Sequence, residues 1–144
     1  MGKLVTIKEK FKGKIISVLD NNTGRIYLDI AAEDILPAAR MLFDELGLRF
    51  VTATGIDSRK NIEIIYHFSD DLTGEVISLR TFIKDKKNPS IDSLTPLFRA
   101  AEWIEREMHE LLGVNFRGHP KLNHLLLSED WPKGSFPLRH DNER

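Results

Sequence analysis

Two apolar runs rich in β-branched residues, Ile62 to Phe68 and Glu75 to Ile83, flank the short polar stretch Asp70-Asp71-Leu72-Thr73-Gly74. So short a connection leaves the second run little choice but to return beside the first, which predicts antiparallel neighbouring strands. The same logic applies to Ile15 to Leu19 and Arg25 to Ile30, joined by Asp20-Asn21-Asn22-Thr23-Gly24, a cluster that tolerates positive φ. Arg49 to Thr54 alternates loosely and predicts one more strand. Helices are expected between these runs. Thr6 to Lys14, with Ile7 and Phe11 at helical spacing, predicts a short amphipathic one. Asp34 is expected to cap a second that continues through Leu46, with Pro37 in its first turn and Gly47 at its stop. Leu36, Ala39, Phe43 and Leu46 would line one face of it. After the polar break Lys84-Asp85-Lys86-Lys87-Asn88-Pro89, a third helix is predicted from about Leu97 to Leu112, ending at Gly113. The pattern is α+β: one domain over residues 1–127, a mainly antiparallel sheet flanked by helices, followed by an extended C-terminal tail over residues 128–144.

Composition narrows the functions open to such a chain. Its 144 residues carry 21 Lys and Arg against 22 Asp and Glu, a formal net charge of −1. Phosphate binding calls for a basic surplus, so nucleic acid is not the expected partner, nor is an anionic lipid surface. Cysteine is absent. That excludes disulfides, thiolate zinc sites, iron–sulfur ligation and a cysteine nucleophile within this chain. No run approaches the roughly 20 apolar residues of a membrane-spanning helix. The N-terminus lacks the apolar core of a secretory signal, so a cytoplasmic location is expected.

Few residues suggest chemistry. His109-Glu110 begins like a zinc-binding helix, but the second histidine would fall at position 113, which is Gly. His119 and His124 lie close in sequence without ligand spacing, and Ser58, Ser128 and Ser135 lack a nucleophile elbow. No glycine-rich phosphate loop follows a strand. The informative segment is Glu102 to Leu112. At 100° per residue, Ala100, Ile104, Met108 and Leu111 form one stripe that also contains Glu107, while Glu105, Arg106 and Glu110 point elsewhere. A carboxylate on an apolar face needs a partner. Glu107 is therefore a general acid or base, half of a fold-locking ion pair, or an interface contact. Downstream, Trp131, Phe136 and Leu138 sit among prolines and charges that disfavour regular structure. Such side chains need a surface to lie on, either the domain itself or a partner.

The same residues carry a family resemblance. Trp103-Ile104-Glu105-Arg106-Glu107, Glu110-Leu111, Gly113-Val114, Phe116, Gly118-His119-Pro120, Leu122 and Leu125-Leu126 resemble the signature of the 30-kDa (C-type) subunit of respiratory complex I (NADH:quinone oxidoreductase). Membrane-bound nickel–iron hydrogenase complexes share that subunit. Asn88-Pro89-Ser90-Ile91, Asp130-Trp131 and Pro137-Leu138-Arg139 extend the likeness over nearly the whole chain. What it implies is a peripheral-arm subunit, on the cytoplasmic face of the membrane, without a cofactor of its own. It would pack on a large subunit of the 49-kDa type, related to the nickel–iron hydrogenase large subunit, and near an iron–sulfur small subunit. Iron–sulfur clusters and a quinone or nickel–iron site would belong to those partners, and electron transfer there would be coupled to ion translocation. Glu105, Arg106, Glu107, Gly113, Gly118, His119, Pro120 and Arg139 are the family-type positions, with Trp131, Phe136 and Leu138 expected to dock the tail. His109-Glu110 replaces the usual Tyr-Asp of complex I members, Leu112 often a Phe, and the tail past Arg139 is short. These departures point toward hydrogenase-like or archaeal-type relatives. A small freestanding enzyme using Glu107, or a general protein-binding module, is the alternative.

Overall fold

The apolar runs at the centre of the sequence become the central strands of a five-stranded sheet. The computed structural model describes residues 3–123, 125–127 and 130–140. In chain order the elements are α1 (Leu4–Lys10), β1 (Ile15–Asp20), β2 (Arg25–Ile30), α2 (Ile35–Arg40), β3 (Arg49–Asp57), β4 (Ile62–Asp70), β5 (Glu75–Ile83), β6 (Ser90–Asp92), α3 (Ala100–Leu112) and β7 (Asn115–Arg117). The class is α+β, as expected. The large sheet has the order β1-β2-β5-β4-β3. β1 pairs antiparallel with β2, but β2 pairs parallel with β5, from Arg25 opposite Val76 to Asp29 opposite Arg80. The sheet is therefore mixed. Its parity follows from the loops. The short connections after β3 and after β4 each reverse the chain, so β5 runs as β3 does, and β2 to β3 is a crossover that contains α2.

The chain divides into two compact units, residues 1–53 with 65–81 and residues 54–64 with 82–144. In the first, the fully buried side chains include Ile7 of α1, Ile26 and Leu28 of β2, Tyr66 and Phe68 of β4, and Ile77 and Leu79 of β5. α2 buries Ile35, Ala38 and Ala39, and the π-helical turn Met41–Glu45 that continues it buries Met41 and Leu42. The face expected from the sequence, Leu36 with Ala39, Phe43 and Leu46, is thus rotated. The reason is the pitch at the two ends: a 3-10 turn, Ala32–Asp34, leads in, and the Leu46 N–H donates to the Met41 carbonyl at 3.0 Å on the way out. Asp34 does not cap this helix. The Ile35 N–H already donates to the Ala32 carbonyl, and the Asp34 carboxylate lies 3.5 Å from the Lys14 ammonium.

β1 is an edge strand. Residues 16–20 are exposed, and a register shift between Ile15 and Ser17 bulges its start. A polar clamp ties it to the interior strands. Arg80 of β5 donates through Nε and Nη2 to the two carboxylate oxygens of Asp29 on β2, at 2.7 and 2.9 Å. The Ser17 hydroxyl of β1 donates to Asp29 Oδ2 at 2.7 Å. Burial pushes the Asp29 carboxyl upward, but the bonds from Arg80 and Ser17 outweigh it and hold the group below the usual carboxylate range.

The second unit contains two strands the sequence does not announce. β6 and β7 are three residues each and pair in parallel, with Arg117 Nε donating to Asp92 at 2.9 Å and Arg117 Nη1 donating to the Ser90 hydroxyl at 3.1 Å. Three residues are too few to show a period of two. Ile91 and Phe116, their central side chains, are buried.

Replacing Arg80 with Met leaves the Asp29 carboxylate without its cation. We expect a loss of about 1–3 kcal/mol in urea-induced unfolding, with no change in fold by circular dichroism.

Candidate functional site

α3 positions most of the residues that the sequence singles out, and its phase differs from the expected one. The buried core-facing stripe is Ala101, Glu105, Met108 and Leu112, about 75° round from Ala100, Ile104, Met108 and Leu111, with Met108 common to both. Adjacent apolar pairs, Ala100 beside Ala101 and Leu111 beside Leu112, support either phase. Trp103 is in fact 62% exposed, and Arg106 lies over its ring at 5.7 Å from the centroid. The buried carboxylates are those of Glu105 and Glu110, while Glu107 is only half-buried.

Glu105 is fully enclosed, and its two oxygens are met from the segment after β6. The Ser93 hydroxyl donates to Oε1 at 2.6 Å and the Leu94 N–H to Oε2 at 3.0 Å. Ser93 Oγ in turn accepts the Thr95 N–H at 3.1 Å. Burial pushes the Glu105 carboxyl up to about 7, against the pull of these two bonds. Glu110 is five residues on, about 140° round the helix, and is covered from another side. Its oxygens accept the backbone N–H groups of Leu125 at 2.6 Å, Leu126 at 2.7 Å and Leu127 at 3.4 Å. The apolar run 125–127 is thereby held without being a strand or a helix.

The remaining signature residues bind main-chain atoms as well. Arg106 Nε donates to the Asn123 carbonyl at 3.2 Å. The His119 ring donates from Nε2 to the Glu102 carbonyl at 2.9 Å and accepts the Lys121 N–H at Nδ1, 3.0 Å away. His109, read against a zinc motif in the sequence, donates from Nδ1 to the Val114 carbonyl at 2.8 Å. Gly113 closes α3 with φ +80°, the left-handed conformation that glycine adopts at a helix end. A Cβ there would lie 2.6 Å from the Phe136 ring. Gly118 also has positive φ, 86°, just before His119-Pro120.

The tail residues return to this unit. Arg139 is 7% exposed, donating from Nη1 to the Leu112 carbonyl at 3.2 Å and from Nη2 to the Lys86 carbonyl at 2.8 Å. The Leu138 N–H donates to the Leu111 carbonyl at 2.9 Å. Asp57 lies beside Arg139, with Oδ1 3.7 Å from Arg139 Nε and 2.6 Å from Lys86 Nζ, and Oδ2 accepts the His140 N–H at 2.8 Å. Burial raises the Asp57 carboxyl, but the Lys86 and His140 bonds and the Arg139 charge together hold it below its ordinary value. Phe136 and Trp131 are half-buried, the Trp131 indole N–H donating to the Ser135 carbonyl at 2.7 Å, whereas Leu138 is 53% exposed. His124 and Ser128 lie outside the described residues.

Sequence reading missed Asp57, Lys86, Ser93 and the role of Glu110. Asp57 ends β3 and Lys86 lies in the loop after β5, with nothing local to pair them. Glu110 had a usable signal, namely its place two turns along the helix from Trp103 beside an apolar run with no strand pattern. Among the described residues no three His, Asp or Glu side chains are grouped as a metal ion would need.

Two outcomes follow from this geometry. Between the unfolded value of 4.5 and the folded value of about 7, Glu105 retains a proton in the folded chain that the unfolded chain releases. Its contribution is therefore fully favourable at acid pH and is lost as pH rises through that window, by roughly 3 kcal/mol as an order of magnitude. Glu105→Gln keeps a donor–acceptor pair for Ser93 and Leu94, so unfolding free energies measured from pH 5 to 8 should fall less steeply than in the parent. Gly113→Ala is expected to destabilise by about 2–3 kcal/mol through backbone strain and the Phe136 contact. In a Phe136→Ala background the steric part of that loss should disappear, which urea titration of the double variant checks.

Comparison with known proteins identifies the family of the chain. A family model described as "Respiratory-chain NADH dehydrogenase, 30 Kd subunit" matches residues 28–144. The C-type subunit of NADH-quinone oxidoreductase from Nocardioides sp. is 31% identical over 125 residues, covering 82% of this chain and 49% of the relative. The chain thus spans about half the length of that protein. The C/D subunit of NADH-quinone oxidoreductase from Bacteroides thetaiotaomicron is 34% identical over 84 residues, 58% of this chain and 16% of that longer one. Among solved structures, a chain of the membrane-bound sulfane sulfur reductase, an archaeal respiratory membrane complex, superposes with a TM-score of 0.84 at 25% identity. The overlap covers 96% of this chain and 82% of that one. Among the described residues no helix is long and apolar enough to cross a membrane. The chain belongs to the 30-kDa subunit family of respiratory-chain NADH dehydrogenase, the family that includes the C-type subunits of NADH-quinone oxidoreductase.

Proposed function

We propose that this chain is a non-catalytic assembly subunit of a complex I-like oxidoreductase, packing on the large 49-kDa-type subunit and carrying no cofactor itself. Iron–sulfur clusters and a quinone or nickel–iron site belong to neighbouring subunits on this reading, and the chain sits peripherally on the cytoplasmic face of the membrane. One observation carries it. Glu105, Glu110, Arg106, His119 and Arg139 all bind atoms of their own chain, while large apolar side chains beside them face outward: Trp103 at 62% exposure, Leu126 at 68% and Leu138 at 53%.

These three are tied to one helix. Trp103 and Glu110 lie within about 20° of one another around α3 and about 10 Å apart along it, and Glu110 holds the Leu126 N–H. Leu138 is bonded to the carbonyl of the next residue, Leu111. An apolar ridge set in a polar frame is the usual character of a protein contact. Trp131 and Phe136, the other large side chains of the tail, are half-buried. The C/D name of the Bacteroides protein supports the large subunit as the partner, since the matched segment occupies only 16% of a longer chain. The likeness to a chain of an archaeal respiratory membrane complex supports the lean toward archaeal-type relatives.

The tail is a poor candidate for deletion, because removing residues 131–144 also removes Arg139 and the His140 N–H from buried Asp57. Point changes test the reading more cleanly. Trp103→Ala with Leu126→Ala should shift unfolding by little, about 0.5 kcal/mol at each exposed site. The same pair should weaken association with the co-expressed large subunit about thirtyfold or more, as loss of a central aromatic contact does. Unaltered co-purification of the double variant would remove the ridge from the interface.

A further inference from the structure

We propose that the basic end built from the β3–β4 turn and residues 84–87 docks an acidic segment of a neighbouring protein, an inference that rests on the reading of the chain as an assembly subunit. Residues 57–63 and 82–89 hold five basic side chains against three acidic ones, in a chain whose net charge is −1. Arg59, Lys60, Lys84 and Lys87 are exposed. None of the four forms an ion pair among the described residues.

The acids nearby are largely engaged. Asp57 is buried and faces Lys86 and Arg139. Asp85 Oδ1 accepts the N–H groups of Lys87 and Asn88, each at 3.1 Å. The cations also stand on a stiff base. Ser58 N–H donates to the Asn61 carbonyl at 2.9 Å, and Ser58 Oγ lies 2.6 Å from Asn61 Oδ1 and accepts the Asn61 N–H at 3.3 Å. Lys86 Nζ donates to the Ser58 carbonyl at 2.5 Å, which pins the 84–87 segment to that turn. Four cations that form no ion pair among the described residues, on a pinned backbone and with their local counter-charges engaged, present a field that favours an anionic partner.

The shape selects a polypeptide. A shallow groove of about 420 Å³ is lined by Ser58, Arg59, Lys60, Asn61, Glu63 and Phe82. A membrane surface is broad and uniformly negative. It would not enter the groove, and it would meet the carboxylates of Glu63 and Asp85. A segment with spaced Asp or Glu residues and one apolar side chain can set its charges on Arg59, Lys60, Lys84 and Lys87 while the apolar group lies along Phe82.

The test uses the intact complex and a zero-length carbodiimide, which joins a lysine ammonium to a touching carboxylate as an amide. Mass spectrometry should find Lys60, Lys84 or Lys87 linked to Asp or Glu of a neighbouring subunit. The Arg59→Glu/Lys60→Glu variant should melt as the parent does and enter the complex about tenfold less well. The control Lys8→Glu/Lys12→Glu should enter it normally. Absence of inter-subunit links from all three lysines, or normal assembly of the charge-reversed variant, overturns the proposal. So does co-sedimentation of the parent, but not the variant, with phosphatidylglycerol vesicles, which would assign the patch to lipid. If the parent chain itself fails to assemble with the large subunit, the assembly-subunit reading falls and this inference with it.

Discussion

A carboxylate taken out of water costs several kcal/mol unless donors meet its oxygens, and α3 carries two that are buried, Glu105 and Glu110. Glu105 is met by the Ser93 hydroxyl and the Leu94 N–H, and Glu110 by the backbone N–H groups of Leu125 to Leu127. The two side chains leave the helix about 140° apart, so α3 gathers segments from two directions that make little regular structure of their own. Because the donors to Glu110 are main-chain atoms, the 125–127 segment can vary in side chain without losing those bonds, whereas the Glu105 site also requires the Ser93 hydroxyl. The carboxylates cannot vary in the same way. Removing either one leaves buried N–H groups without an acceptor, a penalty comparable to the whole worth of a hydrogen bond.

Arg139 applies the same logic with the opposite charge. Its guanidinium donates to the carbonyls of Leu112 and Lys86, and that carries the segment around Arg139 back to the end of α3. Asp57 supplies the counter-charge and, through Lys86 and the His140 N–H, joins the β3–β4 turn, the 84–89 loop and the tail at one point. A buried pair of this kind need not add net stability. What it does is define where a segment rich in proline and poor in apolar contacts must lie. Gly113 serves the same join from the helix side, since the Phe136 ring occupies the place a side chain would take.

Most of the architecture was legible in the sequence because it is periodic. The strand pairs around Asn21-Asn22 and Asp70-Asp71, the helix ending at Gly113 and the α+β class all follow from apolar spacing and turn residues. The parallel β2–β5 pair was not legible, since strand order depends on a crossover whose destination no local pattern encodes. The phase of α3 was not legible, because Ala100 and Ala101, and Leu111 and Leu112, fit two neighbouring stripes and Glu105 looks like a surface residue until its donors are known. β6 and β7 were too short to register. The clasp of Asp57 with Arg139 joins residues far apart in sequence, and pairing at that range leaves no trace in a single chain.

Alongside the buried Ala101, Met108 and Leu112, the second unit inverts part of the ordinary distribution of side chains around α3. Glu105, Glu110, Asp57 and Arg139 are inside, and Trp103, Leu126 and Leu138 are outside. Exposed apolar groups taken singly need no explanation, but buried charges and large exposed apolar side chains on the same helix do. The two halves of the inversion are mechanically related. Polar bonds to Leu126 N–H, to Asn123 and to Leu111 hold the outward-facing residues in place before any partner arrives. Ordering a side chain or loop on association costs about 0.5–1.5 kcal/mol each, so a ridge already held by internal hydrogen bonds retains more of its contact energy as affinity. On the assembly-subunit reading, the buried charges of this chain therefore act at a distance: they make a rigid apolar surface out of segments that would otherwise have to be ordered by the partner.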